Sequence, residues 1–228
     1  ITIASGSSGN CSLVDIGNAR FLIDAGISAR RIISALESLN IQPESIDGIL
    51  ITHEHNDHIR GVDVLARRYN LPVYISSKLL TSGYFLDFVY YGKVQIVPFT
   101  TERSFKINDA EIIPFSVPHD VVDNVGFRVA APNEGILAYA TDIGHLSNDI
   151  FDYCYKADYL VFESNYHESM LINGPYPPSL KSRIMGPNGH LSNYDTREAL
   201  EKLIHTDMYG IVLIHLSKEN NTPEKTLE

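Results

Sequence analysis

Three histidines, a glutamate, an asparagine and an aspartate crowd into one seven-residue stretch, THEHNDH, at residues 52–58. Imidazole and carboxylate groups are the side chains with which proteins hold divalent cations and move protons. In a chain with nine histidines, an H-x-H-x-D-H arrangement arises by chance about once in a thousand sequences. The stretch therefore predicts a metal site that includes His53, His55, Asp57 and His58.

The position of this stretch favours the same interpretation. It directly follows GILIT (48–52), which is apolar enough to be a buried strand and would give the ligands a rigid base. His53 and His55 share one face of an extended backbone, because alternate side chains point the same way. Asp57 and His58 fall on the turn that begins the next predicted helix, so one loop can serve two neighbouring cations.

Four ligands from one loop cannot complete two coordination shells of about four to six donors each. Three further candidates break out of apolar runs where strands should stop: His119 after EIIPFSVP, Asp142 after GILAYAT and His215 after GIVLI. A single histidine at the end of an apolar run is more often a core or edge residue than a ligand. Three such residues, in the same chain as the histidine-rich loop, favour a shared metal site. Histidine-rich donors favour zinc, and a mixed His/Asp set also accepts manganese or iron.

The elements that must position these residues alternate between β and α patterns. Strands are predicted at 1–4, 12–16, 20–24, 48–52, 72–76, 94–99, 105–109, 110–117, 126–131, 135–142, 158–164 and 211–217. Helices are predicted from about Ser28, over 58–70, near 147–156 and over 193–205, and a Pro-rich loop with a basic segment over 175–184. Without repeats or linker-like segments, residues 1–228 are expected to form a single α/β domain with helices covering sheets.

Composition limits the classes of function. The chain has 228 residues, 44% hydrophobic, and no apolar run comes near the roughly 18 residues of a membrane span, so neither a membrane span nor a secretory leader is expected. Its two cysteines, Cys11 and Cys154, make no disulfide framework, so a cytoplasmic setting is expected.

The net charge of -10 argues against broad electrostatic capture of nucleic acid. Two divalent cations would add about four positive charges at the site itself.

Several motifs carry a family resemblance. FLIDAG, THEHNDHIRG, His119, ATD and IHLS, in this order, resemble the five motifs of the metallo-β-lactamase-fold hydrolases, from about residue 4 to 220. The resemblance implies an αβ/βα four-layer sandwich, in which two mixed β-sheets are flanked by helices and the site lies along one edge. It also implies two metal ions with ligands in three sets: His53, His55 and His119; Asp57, His58 and His215; and Asp142 as a bridge. Asp24 resembles the aspartate that supports the metal loop from behind.

Other segments narrow the resemblance. ASGSSGNC, ESNYHESML, PYPPSLKSRI, GHLSN and LIHLSKENNTPE together resemble the YycJ/WalJ-type branch of that family. This branch is associated with exonucleolytic digestion of DNA from 5′ ends, and related groups also act on phosphodiesters. His190 in GHLSN matches a histidine that such phosphodiesterases place beside the scissile phosphate. Tyr166 departs from the pattern, which has a histidine directly after the asparagine.

The function implied is a dinuclear metal-dependent phosphodiesterase, specifically a 5′ to 3′ DNA exonuclease. Two cations about 3.5–4 Å apart would neutralise the phosphate and lower the pKa of a bridging water, whose hydroxide attacks. Asp57 is predicted to orient that hydroxide, and His190 to stabilise the developing charge or protonate the leaving oxygen. A thioesterase or lactonase of the same fold is the alternative enzyme, and a partner protein with structural ions is a third hypothesis.

The remaining predicted site residues surround this centre. Lys181, Arg183 and Lys218 are expected to contact backbone phosphates of DNA. Glu163 and Asn165, near a buried strand end, either hydrogen-bond the metal ligands or contact substrate. The SGSSGN turn (5–10) is either a plain connector or a source of N–H donors to phosphate. No protein partner is indicated.

Overall fold

Two six-stranded sheets form the centre of the molecule, in a computed structural model that describes residues 1–83 and 93–228. The first sheet holds, side by side, β1 (Thr2–Ala4), β2 (Cys11–Ile16), β3 (Ala19–Ile23), β4 (Gly48–Leu50), β5 (Val73–Ser76) and β6 (Ile96–Phe99). The second holds, in the same manner, β7 (Phe105–Ile107), β8 (Ala110–Ser116), β9 (Val125–Ala130), β10 (Leu137–Ala140), β11 (Tyr159–Glu163) and β12 (Gly210–Ile214). The two halves of the chain therefore build one sheet each.

Both sheets change from antiparallel to parallel pairing along their width. In the first sheet β1 to β3 pair antiparallel and β3 to β6 pair parallel. In the second sheet β7 to β10 pair antiparallel, and β10 to β12 pair parallel. Parallel neighbours end on the same side, so the segments after β3, β4, β10, β11 and β12 emerge along one edge of the sandwich.

Helices flank the two sheets. They are α1 (Ala29–Ser38), α2 (Asn56–Ile59), α3 (Val62–Tyr69), α4 (Ser77–Thr81), α5 (Asn148–Cys154), α6 (Glu168–Asn173), α7 (Pro178–Ile184), α8 (Asn193–Leu203) and α9 (Pro223–Thr226), with a 3₁₀ turn at Pro43–Ser45. Side chains of α1 and α3 pack on the first sheet, and those of α5 and α8 on the second. The predicted αβ/βα sandwich is confirmed. Within residues 1–83 and 93–228, no helix has both the length and the apolar character that a membrane crossing requires.

The central core lies between the sheets. Phe21 and Ile23 of β3 and Phe127 of β9 are fully buried in one apolar cluster that includes residues of both sheets. Leu22, between Phe21 and Ile23, instead joins the cluster under α1 and α3. This alternation follows from the two-residue period of a strand, which sends successive side chains to opposite faces. Apolar burial on both faces of the sheets thus holds the four layers together.

The predicted elements are largely confirmed, but several strands stop earlier than predicted. The strands predicted to reach residues 24, 142 and 217 end at Ile23, Ala140 and Ile214. Asp24, Asp142 and His215 have φ values of 60°, 55° and 59°, and this left-handed conformation cannot continue a strand. The short helices α4, α6, α7 and α9 were not predicted. In particular, α7 forms where a Pro-rich loop was expected, because Pro178 is compatible with the first helical turn.

Substitution of a central core residue should test the sandwich. Phe127→Ala removes a fully buried ring between the sheets, and should lower the free energy of unfolding by about 3–5 kcal/mol. Tyr209→Ala, at a position that is 74% exposed, is the control and should change it by less than about 1 kcal/mol. Urea unfolding of both variants measures the difference, and equal effects would contradict the assigned core.

Candidate metal centre

The edge where the parallel strands end gathers all seven predicted metal ligands. His53 and His55 lie in the segment after β4, Asp57 and His58 lie in α2, and the other three follow strands of the second sheet: His119 after β8, Asp142 after β10 and His215 after β12. Four groups of side chains there have potential ligand atoms within 4.8 Å of one another. Both sheets therefore contribute donors to a single centre.

The first group consists of His53, His55 and His119. His53 Nε2 lies 3.1 Å from His55 Nδ1, close to the roughly 3.3 Å that separates tetrahedral ligands held about 2.0–2.1 Å from zinc. His119 Nδ1 donates a hydrogen bond to the Gly189 carbonyl at 3.0 Å. Its Nε2 atom is buried and has no hydrogen-bond partner. A lone pair in that position is suited to a cation.

The second group consists of Asp57, His58 and His215. Asp57 Oδ2 lies 3.7 Å from His58 Nε2 and 3.9 Å from His215 Nε2. His58 donates through Nδ1 to Asp24 Oδ2 at 2.7 Å, which leaves Nε2 facing the other donors. His215 Nε2 is buried without a hydrogen-bond partner, as is the corresponding atom of His119.

Asp142 lies between the two groups. Its Oδ2 atom is 3.3 Å from His58 Nε2, whereas its Oδ1 atom is 3.6 Å from His215 Nε2 and 3.9 Å from His119 Nε2. Only 2% of this side chain is exposed. Asp142 thus lies near ring nitrogens of both groups, as a bridging ligand must.

Buried polar groups stand behind the imidazoles. Asp24 accepts hydrogen bonds from the Thr52 N–H at 2.9 Å and the Thr52 hydroxyl at 2.8 Å, in addition to that from His58. Burial raises the pKa of the Asp24 carboxyl despite these contacts. On the other side, Asn165 Nδ2 donates to the His215 carbonyl at 2.9 Å. Such contacts fix ring orientation, although the effect of Asp24 and Asn165 on metal binding stays a prediction.

Glu163 links a predicted ligand to a predicted catalytic group. Its Oε1 atom accepts from His190 Nδ1 at 2.8 Å and from His215 Nδ1 at 2.9 Å. Its Oε2 atom accepts from the Ile143 N–H at 2.7 Å and the Leu191 N–H at 3.2 Å. Burial raises the pKa of the Glu163 carboxyl, but His190 and these hydrogen bonds outweigh it and lower the pKa overall. An ionised Glu163 therefore holds both rings with Nε2 turned away from it.

The electrostatics of the centre favour a cation. Burial lowers the pKa of His58 and of His215, but the nearby carboxylates, Asp142 foremost, outweigh it and raise both pKa values. Burial lowers the pKa of His53 and of His119, which keeps these rings neutral as metal ligands must be. The unpartnered Nε2 atoms and the mixed imidazole and carboxylate donors fit a divalent cation.

The centre opens into a cleft of about 370 Å³, which His190 and Arg183 also line. Arg183 Nε donates to Asp120 Oδ2 at 2.5 Å. Lys181 lies outside the lining and donates to the Ile172 carbonyl at 2.7 Å. Lys218 is exposed and also lies outside the lining. Of the three predicted phosphate contacts, only Arg183 is thus at the cleft, and its contact with DNA stays a prediction.

Two segments contribute contacts that the motifs did not predict. In the SGSSGN turn, Ser5 Oγ accepts from the His215 N–H at 2.6 Å, and Asn10 Nδ2 lies 2.9 Å from His58 Nε2. In FLIDAG, a Cβ on Gly26 would lie 1.5 Å from the Asp57 carbonyl oxygen, so only glycine allows the metal loop to approach this closely. The serine and glycine residues of the two motifs indicated tight backbone turns. They could not indicate the contacts with His215, His58 and Asp57, because these residues are far away in sequence.

Comparison with known proteins agrees with this geometry. The family model "Beta-lactamase superfamily domain" matches residues 19–216. The chain is 38% identical over 225 residues to Exodeoxyribonuclease WalJ of Streptococcus pneumoniae, with 97% of this chain and 82% of the relative covered. It is 35% identical over 228 residues to Exodeoxyribonuclease YycJ of Bacillus anthracis, with 97% and 83% covered.

The same fold occurs in solved structures. The metallo-beta-lactamase fold protein YhfI from Bacillus subtilis superposes with a TM-score of 0.74 at 16% identity, covering 99% of this chain and 89% of that one. Identity this low shows the fold alone. The fold implies the use of a divalent metal, and the His/Asp groups at the sheet edge are where it would bind. The predicted resemblance is confirmed: the chain belongs to the metallo-β-lactamase superfamily, with the WalJ/YycJ exodeoxyribonucleases as sequence relatives.

Proposed function

We propose that this protein is a metal-dependent DNA exonuclease that hydrolyses phosphodiester bonds from 5′ ends. The observation that carries the proposal is the meeting of seven metal-ligand side chains and His190 at one open cleft. The names of the relatives at 35–38% identity support DNA as the substrate. Because both sheets supply donors, we also propose that residues 1–228 act as a single domain.

Two divalent ions, zinc or manganese, fit the donor set best. His53, His55 and His119 would hold one ion, Asp57, His58 and His215 the other, and Asp142 would contact both. Such ions neutralise phosphate charge and lower the pKa of a coordinated water towards neutrality. This would compensate for the net charge of -10, which otherwise repels DNA.

Asp57 is the proposed group that acts on the attacking water. Its side chain is 23% exposed and lines the cleft. Burial raises the pKa of its carboxyl, but His215 and His58 outweigh this and lower the pKa. The carboxylate is therefore ionised near neutral pH and can accept a hydrogen bond from water, orienting it towards the phosphorus atom.

His190 is the proposed group that acts on the leaving oxygen. Its Nδ1–H donates to Glu163, so the ring presents Nε2 to the cleft. A proton on Nε2 would face the cleft and could be donated to the leaving oxygen. Its side chain is 20% exposed, so solvent can return the proton.

We further propose a cytoplasmic location, where DNA substrate is present. Cys11 and Cys154 are both buried and unpaired. Burial raises the pKa of the Cys154 thiol to about 12, which keeps it in the unreactive thiol form. Free thiols agree with a reducing compartment.

Metal content provides the first test. Replacing His119 by alanine removes one of three imidazoles in the first group, so metal bound per chain should fall from about two ions to about one. His205→Ala is the matched control, because that histidine contacts the Ala157 carbonyl and lies outside the cleft. Elemental analysis of dialysed protein measures the ratio. Unchanged metal in His119→Ala would contradict the ligand assignment.

Nuclease activity provides the second test. Protein loaded with manganese should degrade linear duplex DNA from 5′ ends, and Asp57→Ala should lower the rate by at least about 100-fold. Asp63→Ala, which removes an exposed carboxylate of α3 paired with Arg67, should retain full activity. Duplexes labelled at either end and resolved on gels give rate and polarity.

Three results would redirect the proposal. Equal DNA loss with wild-type protein and Asp57→Ala would indicate a contaminating nuclease. Release of label from 3′ ends first would reverse the polarity. Hydrolysis of acylated thiols without any cleavage of DNA or of a simple phosphodiester would favour the thioesterase or lactonase alternative.

The role of His190 can be separated from metal binding. His190→Ala should lower kcat by roughly 100- to 10,000-fold, while the metal content stays at the wild-type value because His190 is not one of the seven proposed ligands. Elemental analysis and single-turnover kinetics on the same preparation distinguish the two effects. Loss of metal together with activity would instead assign His190 to the metal ligands.

A further inference from the structure

The cleft lining contains apolar side chains besides the ionisable donors. Tyr176, Leu180 and Ile184 line it, and we name these three residues the apolar wall. Leu180 and Ile184 belong to α7, where the four-residue spacing puts both on one face. Tyr176 lies in the Pro-rich segment just before that helix. All three are partly buried, so each presents part of its surface to the cleft.

Among the described residues, the Tyr176 side chain has no polar or aromatic partner. Its side chain makes no hydrogen bond, ion pair or ring contact within residues 1–83 and 93–228. Pro175 and Pro177 on either side restrict the backbone that carries it. A half-buried aromatic ring beside a phosphate-cleaving centre, with a face unused by other rings, is suited to stacking on a nucleobase.

The charges at the apolar wall do not favour a second phosphate. Arg183 is the single lysine or arginine among the described lining residues, and its Nε already donates to Asp120. Asp120 also lies 3.4 Å from His119 Nε2. The pair ties α7 to the metal centre and leaves this side of the cleft with little net charge. An uncharged, flat and largely apolar group is the better match.

The apolar wall is held at a fixed position relative to the catalytic groups. The His190 N–H donates to the Ile184 carbonyl at 3.0 Å, which joins the end of α7 to a predicted catalytic residue. A Cβ on Gly189 would lie 2.1 Å from the same carbonyl oxygen, so the two segments are in close contact. A phosphate at the centre and a base on the wall would thus keep a constant separation.

The size of the cleft limits the occupant. A volume of about 370 Å³ is near the lower end of the roughly 300–1,000 Å³ typical of small-molecule sites. This volume suits one nucleotide. Enzymes that act on a base or nucleotide in such a pocket extrude it from the stack.

We propose that the terminal nucleotide of the DNA leaves the duplex stack and that its base packs on Tyr176, against Leu180 and Ile184, while the scissile phosphate lies at the metal centre. This inference rests on the proposed exonuclease function. It adds that Tyr176 binds substrate and that opening of the terminal base pair precedes cleavage.

The test is a double-mutant cycle between the protein and its substrate. Wild type, Tyr176→Phe and Tyr176→Ala are compared on two duplexes that are identical except that one carries an abasic terminal nucleotide. On the intact end, Tyr176→Ala should lower kcat/KM by about five- to 150-fold, mostly through KM, and Tyr176→Phe should stay near wild type. On the abasic end, Tyr176→Ala and wild type should be equal. Tyr194→Ala, at an exposed tyrosine of α8, is the control and should match wild type throughout.

A second substrate pair tests end opening. A terminal mismatch should raise the wild-type rate about tenfold over a terminal G·C pair, because less unpairing is needed. Equal losses for Tyr176→Ala on intact and abasic ends, or no loss on either, would overturn the base-stacking proposal while leaving the nuclease proposal standing. Absence of cleavage by wild type on every substrate would instead remove the proposed function, and this inference with it.

Discussion

Buried carboxylates must be matched by positive charge or by hydrogen-bond donors, and this constraint organises the whole centre. Asp24, Asp142 and Glu163 are at most 2% exposed. A single oxygen of Glu163 accepts hydrogen bonds from the Nδ1 atoms of both His190 and His215. Because each such contact occupies one ring nitrogen, it also decides which nitrogen faces the cleft. The same interactions that compensate buried charge therefore aim the lone pairs at a common point.

The conformation of the strand ends has an energetic cost that the sandwich must offset. Asp24, Asp142 and His215 are non-glycine residues with φ of 55–60°, and each such residue costs about 1–3 kcal/mol. The turn that this conformation makes sends the side chain out of the sheet and into the centre. Packing between the sheets, where Phe21 and Phe127 are fully buried, supplies the stability that keeps these turns in place.

The fold by itself leaves the substrate open, since one donor set can serve phosphoryl or acyl chemistry. The cleft lining also includes residues that are not metal-ligand candidates. There α7 presents Leu180, Ile184 and the Arg183–Asp120 ion pair, close to His190. This helix is joined to the centre through Asp120 and through the Ile184 carbonyl, which accepts from the His190 N–H.

The sequence by itself determined most strands and the longer helices, because these depend on local patterns of apolar residues. It also determined the seven metal-ligand candidates, which are His and Asp residues that follow apolar runs. Only the tertiary structure decided which groups those residues meet. Arg183 pairs with Asp120, which is 63 positions away, and Lys181 donates to a backbone carbonyl. Glu163 reaches His215 across 52 positions. Contacts between distant segments depend on how the two sheets pack, and no local spacing encodes that packing.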